Sequence, residues 1–233
     1  MGTTHVETER KYHGTALPER LDLVAGVASV ERADRQALDA VYYDTPDLRL
    51  LRRHITLRRR TGGEDAGWHL KLPVAADARR EIALPLTAGG PQDVPDEFAR
   101  LLTAYTRDAG LGPVAHLRTR RARLLLRDDR GDPLAEITED RVAAQVLGAL
   151  PTGGGAAAGG GEAAGGGEAA GPGSRAEVSG WTEFEVELDG AGTSLLDRLE
   201  TAFTEAGLVR SPWSSKLAHA IGVDGGHGCP GPA

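Results

Sequence analysis

Charged and apolar residues alternate with period 2 along several short stretches of the chain. The clearest is Glu183-Phe184-Glu185-Val186-Glu187-Leu188, acidic at odd positions and apolar at even ones. Successive side chains of an extended strand point to opposite faces, so this stretch reads as a strand with one acidic and one apolar face. The same period returns at Glu7-Thr8-Glu9-Arg10-Lys11, Leu57-Arg58-Arg59-Arg60, Trp68-His69-Leu70-Lys71-Leu72, Arg79 with Glu81, Arg118 with Arg120, and Glu136 to Asp140. It predicts strands over His5–His13, Ala37–Tyr43, His54–Arg60, Trp68–Pro73, Arg79–Leu84, Ala115–Arg127, Leu134–Asp140 and Trp181–Leu188. Asp128 to Asp132 reads as a hairpin turn between two of them. Helical spacing appears at Phe98, Leu101, Leu102, Tyr105 and Ala109, and again at Leu195, Leu196, Leu199 and Phe203. These predict amphipathic helices over Pro95–Ala109 and Ser194–Ala206. Shorter helices are expected at Pro18–Ala25 and Ser215–Ile221.

With the apolar sides of the strands packed outward or against helices, the charged sides face a space that tolerates both signs. A closed or nearly closed sheet with a charged lumen provides it. Glu7, Glu9 and Lys11 then share one face at about 6 to 7 Å spacing. Like charges this close repel, and a metal ion between glutamates or a polyanion between arginines relieves the repulsion. The pattern points to a tunnel for a divalent metal and a phosphate chain.

Composition sharpens the picture at one point. The chain has 27 Lys and Arg in 233 residues, and only three are lysine: Lys11, Lys71 and Lys216. Each lies in one of the dense charged motifs. Lysine supplies a compact point charge where arginine supplies a planar fork, so these positions read as places that need the former.

In family order, these motifs resemble the CYTH superfamily of triphosphate tunnel metalloenzymes. The resemblance rests on Glu7-x-Glu9-x-Lys11, Tyr42-Tyr43-Asp44-Thr45-Pro46-Asp47, Leu57 to Arg60, Trp68 to Lys71, Arg79 with Glu81, Arg118-Thr119-Arg120, the strand ending at Asp140, Glu185-x-Glu187 and Ser215-Lys216. It covers about residues 5 to 223. It implies an α+β, mainly β fold: an antiparallel, closed, eight-stranded tunnel-like barrel with a few flanking helices. It also implies Mg2+ or Mn2+ as cofactor, with Glu7, Glu9, Glu185 and Glu187 as metal ligands and Glu136 and Asp140 as outer candidates. Lys11, Arg58, Arg60, Lys71, Arg120 and Lys216 become phosphate ligands, with Arg79 and Arg118 as helpers, and Lys11, Glu9 and Glu187 are placed at the reaction itself. Arg59, Arg121, Arg123 and Arg127 have the opposite parity or lie outside the motifs, and read as surface residues. His69 reads as a packed histidine.

The implied activity is metal-dependent hydrolysis of a terminal phosphoanhydride in inorganic triphosphate or a related short chain. A polyphosphate-binding module without turnover and a class IV-type adenylate cyclase are the alternatives. The wording around Tyr42 to Pro73 is most similar to the actinobacterial branch in which this module precedes a helical CHAD domain, which makes such a domain the implied protein partner.

The remaining features bound the reading. A length of 233 residues suits one domain, over 1–223. Pro151 to Gly173 is almost entirely Gly and Ala, which predicts a disordered insertion, and 224–233 a flexible tail. The formal net charge of −7 argues against general nucleic-acid binding. One cysteine, Cys229, and the lack of an apolar run of membrane-spanning length make a cytoplasmic setting the expectation.

Overall fold

The computed structural model describes residues 2–107, 109–147 and 178–223. The expected insertion at 151–173 and the tail at 224–233 lie outside the described residues. Nine strands form in chain order: β1 (Thr3–His13), β2 (Ser29–Asp44), β3 (Thr56–Thr61), β4 (Gly67–Ala75), β5 (Ala78–Leu84), β6 (Gly112–Arg127), β7 (Pro133–Val146), β8 (Val178–Leu188) and β9 (Val209–Arg210). Three α-helices accompany them: α1 (Asp96–Thr106), α2 (Ser194–Glu205) and α3 (Lys216–Ile221). The sheet order is β5-β4-β3-β2-β6-β7-β8-β1-β9, with β5 also paired to β1. Every pairing is antiparallel, and the β5–β1 pairing closes eight strands into a barrel, as the motifs implied.

The apolar faces of the strands do point outward. Tyr12, Ile137, Phe184, Val186 and Leu126 pack under Leu195, Leu196, Leu199 and Phe203 of α2. On another side Tyr43, Leu57, Trp68, Leu70 and Leu84 pack under Phe98 and Leu102 of α1. These two outer cores fix which face of each strand turns inward. A third cluster, with Ala40, Tyr42, Leu117, Val142 and Ala144, surrounds Leu217 and Ala218 of α3.

Three local expectations change. Pro18–Ala25 forms only a 3-10 turn at Leu21–Leu23, because Leu21, Val24 and Val27 dock separately on the α2 core and Gly26 turns the chain at φ 94°. β2 starts at Ser29, eight residues before the expected start, because Ser29 to Ala33 pair with Arg123 to Arg127 although both faces of that segment are largely polar. The short β9 extends the sheet beside Tyr12 and His13.

Within the Tyr42 to Asp47 motif, Asp44 serves the fold. Asp44, 1% exposed, accepts the amide hydrogens of Thr45, Leu50 and Leu51 at 2.7, 2.9 and 2.9 Å. That cap holds the turn leading into β3. The turn leaving β3 depends on Gly62, where an added Cβ would lie 2.1 Å from the Ala37 carbonyl oxygen at φ 78°. Gly131 has a similar φ, 84°, with no atom within 4 Å of such a Cβ. Gly62→Ala is therefore expected to cost about 3 kcal/mol or more, and Gly131→Ala about 1 to 2 kcal/mol. Urea denaturation of the two variants checks the difference.

Candidate active site

Strand period 2 brings inward side chains of all eight barrel strands, and of α3, onto one lumen. Its narrow part is a chamber of about 80 Å³. Seven cations line it, Lys11, Arg58, Arg60, Lys71, Arg79, Arg121 and Lys216, with six carboxylates, Glu7, Glu9, Asp65, Glu81, Glu185 and Glu187. The chamber opens into a wider cavity of about 1020 Å³ that shares Glu7, Asp65, Glu81, Arg121 and Glu187 as walls.

β1 supplies the centre. Glu9 faces Glu187 across the β1–β8 pairing and Lys11 faces Glu185. The Lys11 ammonium lies 2.9 Å from Glu9 and donates to Glu185. Lys71 donates to Glu7 and sits 3.3 Å from Glu81. Arg79 reaches Glu9 at 3.3 Å and donates to the Ser214 carbonyl at 2.6 Å, which ties β5 to the segment before α3. Ser215 caps α3 by accepting the Ala218 amide hydrogen at 3.1 Å, and Lys216 enters the lumen from the first turn. Its ammonium is held among Asp140, Glu183 and Glu185 at 2.9, 2.7 and 2.9 Å.

The buried charges shift one another. Burial pushes Glu9 up, but Lys11 and Lys71, helped by Arg79, more than offset it and hold the carboxyl at about 2. Glu185 lies well below the usual range against the same opposition of burial, because of Lys11, Lys216 and Arg121. Burial pushes Lys216 down, and its three carboxylates carry it well above an ordinary lysine. Burial and the guanidiniums of Arg58 and Arg121 lower Arg60 to about 9. Glu187 goes the other way. Burial, with the carboxylates of Glu7 and Glu9 beside it, raises it to about 7 against the opposing pull of Lys71, and among the described residues no cation lies within ion-pair distance of it.

Two acidic groups have metal-ligand spacing, each offering donor atoms within 4.8 Å of one another: His5, Glu7 and Glu187, and Asp140, Glu183 and Glu185. The second already surrounds the Lys216 ammonium. In the first, Glu7 accepts from Lys71 while Glu187 has no cation within ion-pair distance among the described residues, and two carboxylates with an imidazole form a donor set for a divalent cation.

β6 corrects the strand parity. Arg118 is 75% exposed and Arg120 lies on the same outer face opposite Arg141, so neither reaches the lumen. Arg121 and Arg123, expected at the surface, point inward. Arg121 donates to Asp140 at 2.8 and 2.6 Å and lies 3.3 Å from Glu185, and Arg123 donates to Glu136 at 2.9 and 2.8 Å. Leu124 and Leu126 decide this, because packing them under α2 turns Thr119, Arg121 and Arg123 inward. The expected acids Glu136 and Asp140 are thereby occupied by arginine.

Glu81, absent from the expected ligands, is 5% exposed and touches both His69 and Lys71. His5 was also missed. Its place at the start of the Glu7, Glu9, Lys11 alternation is the signal that could have found it.

The fold is thus an antiparallel barrel with acidic and basic rows facing one lumen. The CYTH domain family model matches residues 5–221, and the chain belongs to that family. An uncharacterized protein of Mycobacterium tuberculosis is 42% identical over 94% of this chain, which spans 40% of that relative's length. The thiamine-triphosphatase of Homo sapiens is 42% identical over 72 residues, 30% of this chain and 28% of that enzyme. A crystal structure described as a putative adenylate cyclase from Bacillus halodurans shares the fold, with a TM-score of 0.51 and 16% identity over 93% of this chain and 97% of that one. Among the described residues no helix is long and apolar enough to cross a membrane.

At the end of the lumen where α3 enters, His219 stacks on Trp213 with ring centroids 5.3 Å apart and packs against Trp181 at 4.1 Å. Burial, with His13 nearby, lowers it to about 4. The unfolded chain binds this proton near the ordinary 6.5 and the folded chain only near 4, so stability present above pH 6.5 is lost as pH falls toward 4. Replacing the ring by His219→Phe should remove about 1 to 2 kcal/mol of the stability difference between pH 7 and pH 5. Denaturant unfolding of both proteins at the two pH values checks it.

Proposed function

We propose that the chain is a divalent-metal-dependent triphosphatase that hydrolyses the terminal phosphoanhydride of inorganic triphosphate or a related short polyphosphate or organic triphosphate. The observation that carries this reading is the convergence of seven cations on one narrow chamber, with the unpaired carboxylate of Glu187 at its wide side. A multiply charged anion satisfies the cations, and a divalent cation satisfies Glu187. His5, Glu7 and Glu187 would hold the metal, with Glu9 and Glu185 beside them. Once bound, it would polarise phosphoryl oxygens and lower the pKa of a bound water.

The chain's own residues do the rest. Arg58 and Arg60 project from β3, and Arg121 from β6, as planar forks that pair with two phosphate oxygens at once. Lys11, Lys71 and Lys216 supply point charges, and Arg79 joins them from β5. Because carboxylates already hold all of these cations but Arg58, which donates to the Tyr42 hydroxyl at 3.4 Å, they need little reorganisation as charge develops on the transferred phosphoryl group, which is the condition for strong electrostatic stabilisation. Hydrolysis adds a water oxygen to the terminal phosphorus and breaks its bridging P–O bond. Inorganic triphosphate then yields orthophosphate and pyrophosphate.

Phosphate release from tripolyphosphate, thiamine triphosphate, ATP and long polyphosphate, with Mg2+ or Mn2+ and then with chelator, tests the reading. Rapid chelator-sensitive release from a short chain is expected. Tight anion binding without release would assign the chain to a binding module instead. The corrected parity of β6 adds a sharper arm. Arg121→Ala is expected to lower kcat/KM by about a hundredfold or more, and Arg120→Ala to leave it within about twofold.

A further inference from the structure

Two carboxylates on the turn between β3 and β4, Glu64 and Asp65, take no part in the chemistry above, yet both line the wide cavity. Close approach of Gly62 to the Ala37 carbonyl sets the turn against β2, and it carries both acids over the mouth of the lumen. Asp65 pairs with the guanidinium of Arg60, while Glu64 lies 3.6 Å from Arg123. The backbone of the turn has a separate tether, for the Asp65 carbonyl accepts from His69 Nε2 at 2.9 Å.

The Arg60 pair is asymmetric. The Arg60 side chain is 4% exposed and that of Asp65 is 61% exposed. The carboxylates that hold Lys11, Lys71, Arg79, Arg121 and Lys216 all stand on barrel strands and are largely buried in the lumen wall, with no solvent to turn into. Asp65 stands on a turn and can rotate into solvent while its carbonyl stays on His69. Arg60 Nε, moreover, is buried with no hydrogen-bond partner among the described residues. The fork therefore has a donor that Asp65 does not satisfy.

Depth along the lumen adds a length criterion. On β3, Thr56 is level with Lys71, Arg58 with His69 and Arg60 with Gly67, so Arg60 is the arginine of the three positions nearest the wide cavity. An anion bound at Lys71, Arg79 and Lys216 reaches Arg60 only if it is extended.

We infer that Asp65 is an internal counter-ion that holds Arg60 until an oxygen of the outer phosphate displaces it, so that Asp65 grades phosphate chains by whether they reach Arg60. This rests on the reading of the chamber as a phosphate-chain site. Displacement exchanges one charge-assisted pair for another and breaks no covalent bond.

Calorimetric titration with orthophosphate, pyrophosphate and tripolyphosphate in chelator tests it on the full chain, on Asp65→Asn and on Asp189→Asn. Asp189 lines the same cavity with no cationic partner among the described residues, so its variant reports the general charge of the mouth. Asp65→Asn is expected to tighten tripolyphosphate by about tenfold and to leave orthophosphate within about twofold. Asp189→Asn should shift all three anions equally and slightly. Equal effects of the two variants would overturn the inference. So would failure of Asp65→Asn to bind tripolyphosphate more tightly than the unaltered chain, including the case in which that chain binds none of the anions.

Hydrogen exchange on the unaltered chain gives a second reading that needs no variant. Tripolyphosphate should slow exchange in β1 and β8 while leaving residues 62–66 no better protected than before, and added protection of 62–66 would overturn the inference. Because neither measurement uses turnover, absence of phosphate release counts against hydrolysis and leaves the role of Asp65 to be decided by binding.

Discussion

β1 changes partner along its length, and the lumen depends on that change. From Thr3 to Thr8 it pairs with β5, and from Glu9 to Tyr12 it pairs with β8. The first register sets Glu7 opposite Arg79, while the second sets Glu9 opposite Glu187 and Lys11 opposite Glu185. Closing the barrel and assembling the charge cluster are therefore one event. Because the side-chain period of a strand is 2, slipping either register by one residue would turn Glu7, Glu9 and Lys11 toward α2 and Tyr12 into the lumen.

The cluster imposes a cost that the outer cores must offset. Taking carboxylates and ammonium groups out of water is unfavourable unless each finds partners, and removing one partner leaves the other charge exposed to that penalty. Here most of the lumen charges are cross-linked. Lys216 is held by three carboxylates, and Arg121 spans Asp140 and Glu185. Glu187 is the departure, a buried carboxyl beside other carboxylates with its pKa raised to about 7. Stability comes from elsewhere, chiefly from Trp68, Phe98, Phe184 and Phe203 on the outside of the barrel, each fully buried. Apolar residues outside and charged residues inside reverse the usual arrangement of a globular domain, and the reversal places a desolvated field where a charged ligand can use it.

α3 completes the enclosure. Leu217 and Ala218 fill the apolar end of the lumen beside Leu117 and Val142, and the preceding residue, Lys216, lies among the acids. Arg79 fixes the approach to this helix through the Ser214 carbonyl. A short C-terminal helix thus couples packing at one end of the barrel to charge at its centre.

Much of this was legible in the sequence. The alternations at Glu7 to Lys11, Trp68 to Leu72 and Glu183 to Leu188 have a uniform apolar face, and a uniform apolar face must be covered, so the charged face turns to the lumen. Helical spacing likewise marked the four residues that α2 buries and Phe98 and Leu102 on α1, although Leu101 is left half exposed and Ala109 falls beyond the end of that helix. β6 resisted the same reasoning because arginines occur at 118, 120, 121 and 123, and Leu124-Leu125-Leu126 is apolar at both parities. Period 2 says which residues share a face, but only the seat of Leu124 and Leu126 under α2 says which face is inside. The sorting of acids is tertiary for a related reason. Glu136, Asp140 and Glu187 look alike along the chain, yet Arg123 takes the first, Arg121 and Lys216 take the second, and among the described residues no cation pairs with the third. The sequence by itself determined a charged, strand-built tunnel. The pairing of strands distant in the chain decided which charges are neutralised and which is left over, because an ion pair is set by distance in space and not by spacing along the backbone.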